Sequence, residues 1–146
     1  MIFIGIDQLI KWVIISNVKL YQLIEVLPNV LYITHTKNTG AAFGMLKGMR
    51  VFFIIVTVAV LISVIVLILR TPAEKFNLSW SIVCVLLMSG GIGNLIDRIL
   101  WAEVTDYIKV QFFPAIFNFA DICVVLGVVL LCVKFAFAEQ NNARDK

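Results

Sequence analysis

Apolar residues fall in four blocks along the chain, separated by segments of mixed polarity. Residues 2–16 form the first, interrupted by Asp7 and Lys11. A helix of that length rises only about 24 Å against a hydrocarbon core of roughly 30 Å, so it sits near one interface or thins the bilayer. Residues 51–69 are uninterrupted apolar chain ending at Arg70-Thr71-Pro72, and their Thr57 and Ser63 can bond back to their own helix. A third helix is predicted over about 80–100, bounded by Trp80 and Trp101 about 32 Å apart at helical rise. A fourth runs over about 118–137 and trails into a polar tail from Glu139 to Lys146. Between the first two blocks, residues 17–50 are too polar to span. Pro28-Asn29 signals a turn, residues 30–36 alternate as a strand does, Lys37-Asn38-Thr39-Gly40 signals a second turn, and the small-residue run Ala41-Ala42-Phe43-Gly44 follows. Lys75 and its neighbours read as a short loop, and Val104 to Lys109 alternate as extended chain. The pattern predicts one domain over 1–146: an all-α membrane protein, a four-transmembrane-helix bundle, with a small sheet or hairpin from residues 17–50 lying on the membrane surface.

Composition agrees. The 146 residues are 62% hydrophobic, with a mean hydropathy of +1.02, against roughly 45–50% apolar residues in soluble domains. Only 14% are charged and the net charge is +3, dispersed along the chain, so the basic face that nucleic-acid binding needs is missing. The predicted loops carry Lys and Arg almost equally on both sides, which leaves orientation open.

Polar side chains inside lipid are costly, so their positions carry the chemistry. Asp7 and Lys11 lie four apart on one helix face, either neutralising each other or reaching polar groups of the 17–50 segment. Gly90, Gly91 and Gly93 permit close helix packing, and Asn94 and Asp97 share one inward face. Asp97-Arg98 beside Asn94 reads as a structural ion and hydrogen-bond network. Asp106 lies in the extended segment and Asp121 opens the last helix, so three acids arrive at one end of the bundle. Asn118-x-x-Asp121 has the shape of a capping box, which alone would explain Asp121. Two carboxyl groups sharing a site cannot both ionise, which suits them to activate water; the positive helix start favours the ion at Asp121 and leaves the proton on Asp106.

Other chemistries find little support. His35 is the single histidine and reads as a strand surface residue, with no partner for a zinc site. Cys84, Cys123 and Cys132 lie in apolar runs without a CxxC and read as buried hydrophobes. No His-Glu-x-x-His occurs, Ser89 lacks a Gly-x-Ser-x-Gly frame, and Gly91-Ile92-Gly93-Asn94 has Asn where a presenilin-type protease requires Asp. A proton-coupled transporter or channel would also place acids inside a bundle, but it would line a path with them, whereas here they gather at one end.

Five blocks in order carry a resemblance: Asp7-Gln8-x-x-Lys11, Asn38-x-Gly40-Ala41-Ala42-Phe43-Gly44, Gly93-Asn94-Leu95-Ile96-Asp97-Arg98, Val104-x-Asp106 and Phe117-Asn118-x-Ala120-Asp121. With them the chain resembles the lipoprotein signal peptidases, bacterial membrane aspartyl proteases that remove signal peptides from lipid-modified prolipoproteins. Ser89, Gly91, Thr105 and Tyr107 depart from the residues commonest in that pattern, and the Asp106–Asp121 spacing is shorter than usual. The resemblance implies Asp106 and Asp121 as the catalytic pair. Asn38, Asn94, Asp97, Arg98, Asn118, Asp7 and Lys11 would form the supporting or substrate-binding shell. It also implies no cofactor, and a monomer in the bacterial cytoplasmic membrane among lipids. Cleavage would fall before the lipidated cysteine of a diacylglyceryl-modified prolipoprotein, with both termini cytoplasmic and the site and sheet on the outer face.

Overall fold

The computed structural model describes residues 2–40, 46–72, 74 and 76–144. In chain order these form α1 (Ile2–Asn17), β1 (Leu23–Leu27), β2 (Leu31–Asn38), α2 (Arg50–Arg70), α3 (Leu78–Trp101), β3 (Val104–Val110), β4 (Ile116–Phe117) and α4 (Phe119–Arg144). Arg50–Arg70, Leu78–Trp101 and Phe119–Ala136 are long and apolar enough to cross a membrane, whereas α1 has only 16 residues. Local chemistry sets the helix ends. Asn77 caps α3 by accepting from the Trp80 amide at 3.3 Å, and Ala102 ends that helix in the left-handed region at φ 64°. At the end of α2 the Thr71 amide bonds back to Leu67 and Ile68, and Pro72 follows.

Helix α3 is the hub, touching α1, α2, α4 and β3. Glycine makes its closest contact possible: a Cβ on Gly90 would lie 2.4 Å from the Ala120 carbonyl oxygen, and one on Gly93 would lie 2.6 Å from Asp7 Oδ2. Leu87 of α3 packs into the notch at Gly127 of α4. Around this seam Val64, Val83, Cys84 and Leu87 form one core, and Ile14, Val18 and Tyr107 form a second beneath the sheet. Elsewhere the helices turn large apolar side chains outward, among them Ile55, Leu69 and Val125, as lipid requires.

The sheet is antiparallel in the order β1-β2-β3-β4. Strand β3 lies against β2 with Asn38 opposite Val104, Thr36 opposite Asp106 and Ile33 opposite Ile108. Between the last two pairs Thr34 and His35 together face Tyr107, a bulge beside Asp106.

Several expectations change. The fold is not all-α, because the connection after α3 supplies two of the four strands and satisfies the open edge that a hairpin of residues 17–50 alone would leave. Lys37 and Asn38 belong to β2, and the bend falls at Thr39–Gly40. His35 is buried, its Nδ1 3.0 Å from the Val18 carbonyl oxygen, because the chain leaving α1 folds across this strand. Cys84 and Cys123 are buried, but Cys132 is exposed on the outward side of α4. Helix α4 continues to Arg144, since the polar tail contains neither Pro nor Gly to stop it. The Ala41–Gly44 run and Lys75 lie outside the described residues.

The α3–α4 seam yields a test. Gly90→Ala forces a methyl against the α4 backbone and should cost about 1–3 kcal/mol. Gly91→Ala, whose added Cβ would meet Leu61 Cδ2 at 3.1 Å, asks only a flexible side chain to shift. Thermal unfolding in detergent should show a clear loss for the first and little change for the second.

Candidate active site

Residues 7 and 11 on α1 and 94 and 97 on α3 face each other because each pair is one helical turn apart. Lys11, only 3% exposed, places Nζ 2.9 Å from Asp7 Oδ2, 2.8 Å from Asp97 Oδ2 and 3.2 Å from Asn94 Oδ1. An ammonium has three protons and each finds an acceptor. One cation does not balance two buried carboxylates, so neutral donors complete them. Asp7 Oδ1 accepts the Ala120 amide at 3.0 Å, Asp97 Oδ2 accepts the Thr105 amide at 3.3 Å, and Gln8 Nε2 donates to Asp97 Oδ1 at 3.0 Å. The Asp7–Lys11 pair therefore exists but is shared, and it reaches α3 and the start of α4 instead of the 17–50 segment.

Next to this network lie Asp106, on β3, and Asp121, on α4. Asn118 joins them: its Nδ2 donates to Asp106 Oδ1 at 2.7 Å, its amide donates to Asp121 Oδ2 at 3.1 Å, and its Oδ1 accepts the Asp121 amide at 3.0 Å. The last two bonds are the reciprocal capping box, so one residue both starts α4 and ties the two acids. Asn94 Nδ2 donates to Asp121 Oδ1 at 2.7 Å. Its Oδ1 is held by Lys11 and by Asn118 Nδ2 at 3.1 Å, both donors, which fixes which way the amide points. Asn38 Nδ2 donates to Asp106 Oδ2 at 2.8 Å, and Thr36 Oγ1 donates to the Asp106 carbonyl oxygen at 2.9 Å. Burial and then the nearby charge of Asp121 push the Asp106 carboxyl up to about 6, against the opposing pull of the Asn38 and Asn118 hydrogen bonds and of Lys11. It is thus suited to hold a proton that an ordinary aspartate would have lost.

Both acids line a cleft of about 630 Å³. Its polar end carries Asn38, Asn94 and Arg98, and its walls are Thr57, Gly91, Val124 and Leu126 on three different helices. Arg98 lies over the Phe53 ring at 5.0 Å and reaches the Asn94 and Gly40 carbonyl oxygens at 3.4 Å. Among the described residues no three His, Cys, Asp or Glu side chains converge as a metal-binding group.

All nine residues singled out in the sequence thus meet in one region. Asp97 stands apart from the acid pair, in the Lys11 network. Two further participants, Gln8 and Tyr107, were not singled out as site residues. Gln8 lies three residues before Lys11, a helical spacing that could have marked it, and Tyr107 reads as one more position in an alternating strand. Tyr107 is buried, and its hydroxyl accepts the Phe119 amide at 3.1 Å.

The family described as signal peptidase (SPase) II matches residues 1–137. A lipoprotein signal peptidase of Shouchella clausii is 38% identical over 145 residues, covering 99% of this chain and 95% of its own length. One from Listeria monocytogenes serotype 4a is 40% identical, covering 97% and 92%, and one from Staphylococcus aureus is 36% identical, covering 96% and 86%. Among solved structures, a bacterial membrane enzyme determined in meso at 2.3 Å resolution superposes with a TM-score of 0.88 at 35% identity, covering 96% of this chain and 86% of its own.

Two outcomes are expected of the polar network. Lys11→Met strands two buried carboxylates and should cost about 3–5 kcal/mol, of which Asp97→Asn in the same chain restores a part; thermal unfolding of the single and double variants in detergent measures both. The second concerns Asp106. Between its ordinary 3.8 and about 6, the unfolded chain has released this proton while the folded protein keeps it, so this contribution to stability is full below 3.8 and lost as pH rises through about 6. The unfolding temperature of the wild type, taken relative to Asp106→Asn, should therefore be level below pH 4 and fall through that window.

Proposed function

The chain belongs to the signal peptidase II family, and from that premise we propose that it removes signal peptides from diacylglyceryl-modified prolipoproteins, cutting before the lipidated cysteine, with Asp106 and Asp121 as its catalytic pair. The observation that carries this reading is the joining of two acids through Asn118 at the polar end of an apolar cleft. An acyl chain or an apolar signal segment fits the helix-lined walls, while the scissile amide reaches the acids where water can enter.

In the proposed reaction Asp106 begins protonated, the state that its burial and the neighbouring charge of Asp121 favour, and Asp121 begins ionised. Asp121 takes a proton from water as the water oxygen bonds to the scissile carbonyl carbon. Asp106 gives its proton to the carbonyl oxygen, which produces a neutral diol. The diol collapses as Asp121 returns its proton to the leaving nitrogen and Asp106 recovers one from a hydroxyl, so the pair ends as it began. Asn38, Asn94 and Asn118 hold the two carboxyl groups in register, and Lys11, itself held by Asp7 and Asp97, holds Asn94. Arg98, on the cleft wall, meets polar groups of the substrate.

The chain works as a single peptidase unit in a bacterial membrane. With α1 as a short fourth span, α1 ends and α4 begins at the sheet, which supports both termini on the cytoplasmic side and the acids near the outer face. We take the protein to act as a monomer among membrane lipids. A transporter would need polar groups along the full depth of the bundle, whereas here the buried acids cluster toward the sheet.

Purified protein incubated in detergent with a lipidated prolipoprotein should shorten it, as seen by electrophoretic mobility. Asp106→Asn and Asp121→Asn should each lose cleavage by orders of magnitude while keeping the wild-type elution volume in size-exclusion chromatography. Full turnover by either variant overturns the assignment of the pair.

A further inference from the structure

A helix start leaves its first amides without partners, and α4 carries Asp121 in that first turn. Three side chains take these amides, one from β3, one from α1 and one from the helix's own cap. Tyr107 Oη on β3 accepts from Phe119 at 3.1 Å, Asp7 Oδ1 on α1 accepts from Ala120 at 3.0 Å, and the cap Asn118 Oδ1 accepts from Asp121 at 3.0 Å. The Ile122 amide then makes the first bond of the helix itself, to the Asn118 carbonyl oxygen at 3.3 Å. Among the hydrogen bonds of the described residues, only the Tyr107 contact runs directly from the strand that carries Asp106 to the backbone of the helix that carries Asp121. Tyr107 is the next residue after Asp106 and stands opposite the bulge formed by Thr34 and His35, so its ring is placed by the same local distortion that places Asp106.

We propose that Tyr107 is a positioning residue for the acid pair: its hydroxyl fixes the first amide of α4 against β3 and so sets the gap between Asp106 and Asp121. This rests on the reading of those two acids as the catalytic pair. The ring itself belongs to the core with Ile14 and Val18 and would pack equally well as phenylalanine. Burial pushes the Tyr107 hydroxyl up to about 12, so it keeps its proton throughout the working range and contributes a lone pair, not acid–base chemistry. Without the oxygen, the part-buried Phe119 amide loses its acceptor. The start of α4 then moves toward water or admits water, and either change widens the gap.

The consequence can be read in the titration of the pair. The charged groups around it are Asp7 and Lys11 from α1 and Asp97 and Arg98 from α3; Asn38, Asn94 and Asn118 are neutral. None of them changes in Tyr107→Phe. A wider, wetter gap weakens both the repulsion and the desolvation that keep the shared proton on the pair, so the alkaline limb of the rate profile should move to lower pH.

Single-turnover cleavage of a lipidated prolipoprotein is to be compared for wild type and Tyr107→Phe across pH, with KM and kcat separated. Expected are a kcat lower by about tenfold with KM within about twofold, and an alkaline limb displaced downward by about half a pH unit. A purely structural role would lower the unfolding temperature and leave the limb in place, and that result overturns the proposal, as does wild-type kcat. Should Tyr107→Phe fail to fold, 4-fluorophenylalanine at position 107 keeps the ring and puts a feeble, non-titrating acceptor in place of the oxygen. It should show the same displacement to a smaller extent, and an unchanged limb there also overturns the proposal. Failure of the wild type itself to cleave is a separate outcome, which removes the catalytic reading beneath.

Discussion

The arrangement depends on one buried cation. Lys11 is placed among Asp7, Asp97 and Asn94 where water cannot reach, and an isolated ammonium there would be prohibitively costly. Its three bonds tie α1 to α3, and through Asp7 they reach the first turn of α4. Because Lys11 can only donate, Asn94 must turn its oxygen inward and its NH2 group toward Asp121. A short helix that spans too little bilayer to be held by hydrophobicity alone is thereby fixed in depth and rotation.

The sheet serves the same purpose from the other side. Strand β2 brings Asn38 to Asp106, and β3 carries both Asp106 and Tyr107 to the start of α4. A bulge at Thr34–His35 shortens β3 relative to β2 by one residue, so Thr36 and Asn38 remain beside Asp106 while the far end of the pair keeps Ile33 opposite Ile108. Soluble-style strand pairing and membrane-style helix packing thus meet at the two acids.

What the sequence disclosed was mostly what neighbouring residues decide. The long apolar runs of α2 and α3 were readable from length alone, and the capping box of Asn118 and Asp121 from a three-residue spacing, because both ends of each pattern lie in one window. Partnerships across the chain left no such mark. Nothing near Lys11 announces Asp97, and nothing near residue 38 announces Asp106, since a strand's alternation records which face is covered but not by which strand. His35 was misplaced for that reason: its burial comes from Val18 and Tyr21, which arrive from the turn after α1. The motif resemblance supplied the grouping of residues that periodicity could not.

Among the described residues helix α2 packs mainly on α3, with little of its surface covered, and the cleft is lined by α2, α3 and α4. A guest bound there need never leave the plane of the bilayer. Its encounter with the protein is a search in two dimensions, governed by surface density and lateral diffusion instead of by concentration in water. The apolar fragment released after cutting is returned to the same two-dimensional pool. It can then compete with incoming substrate, so clearance of that fragment by other membrane activities would set the steady rate when the surface is crowded.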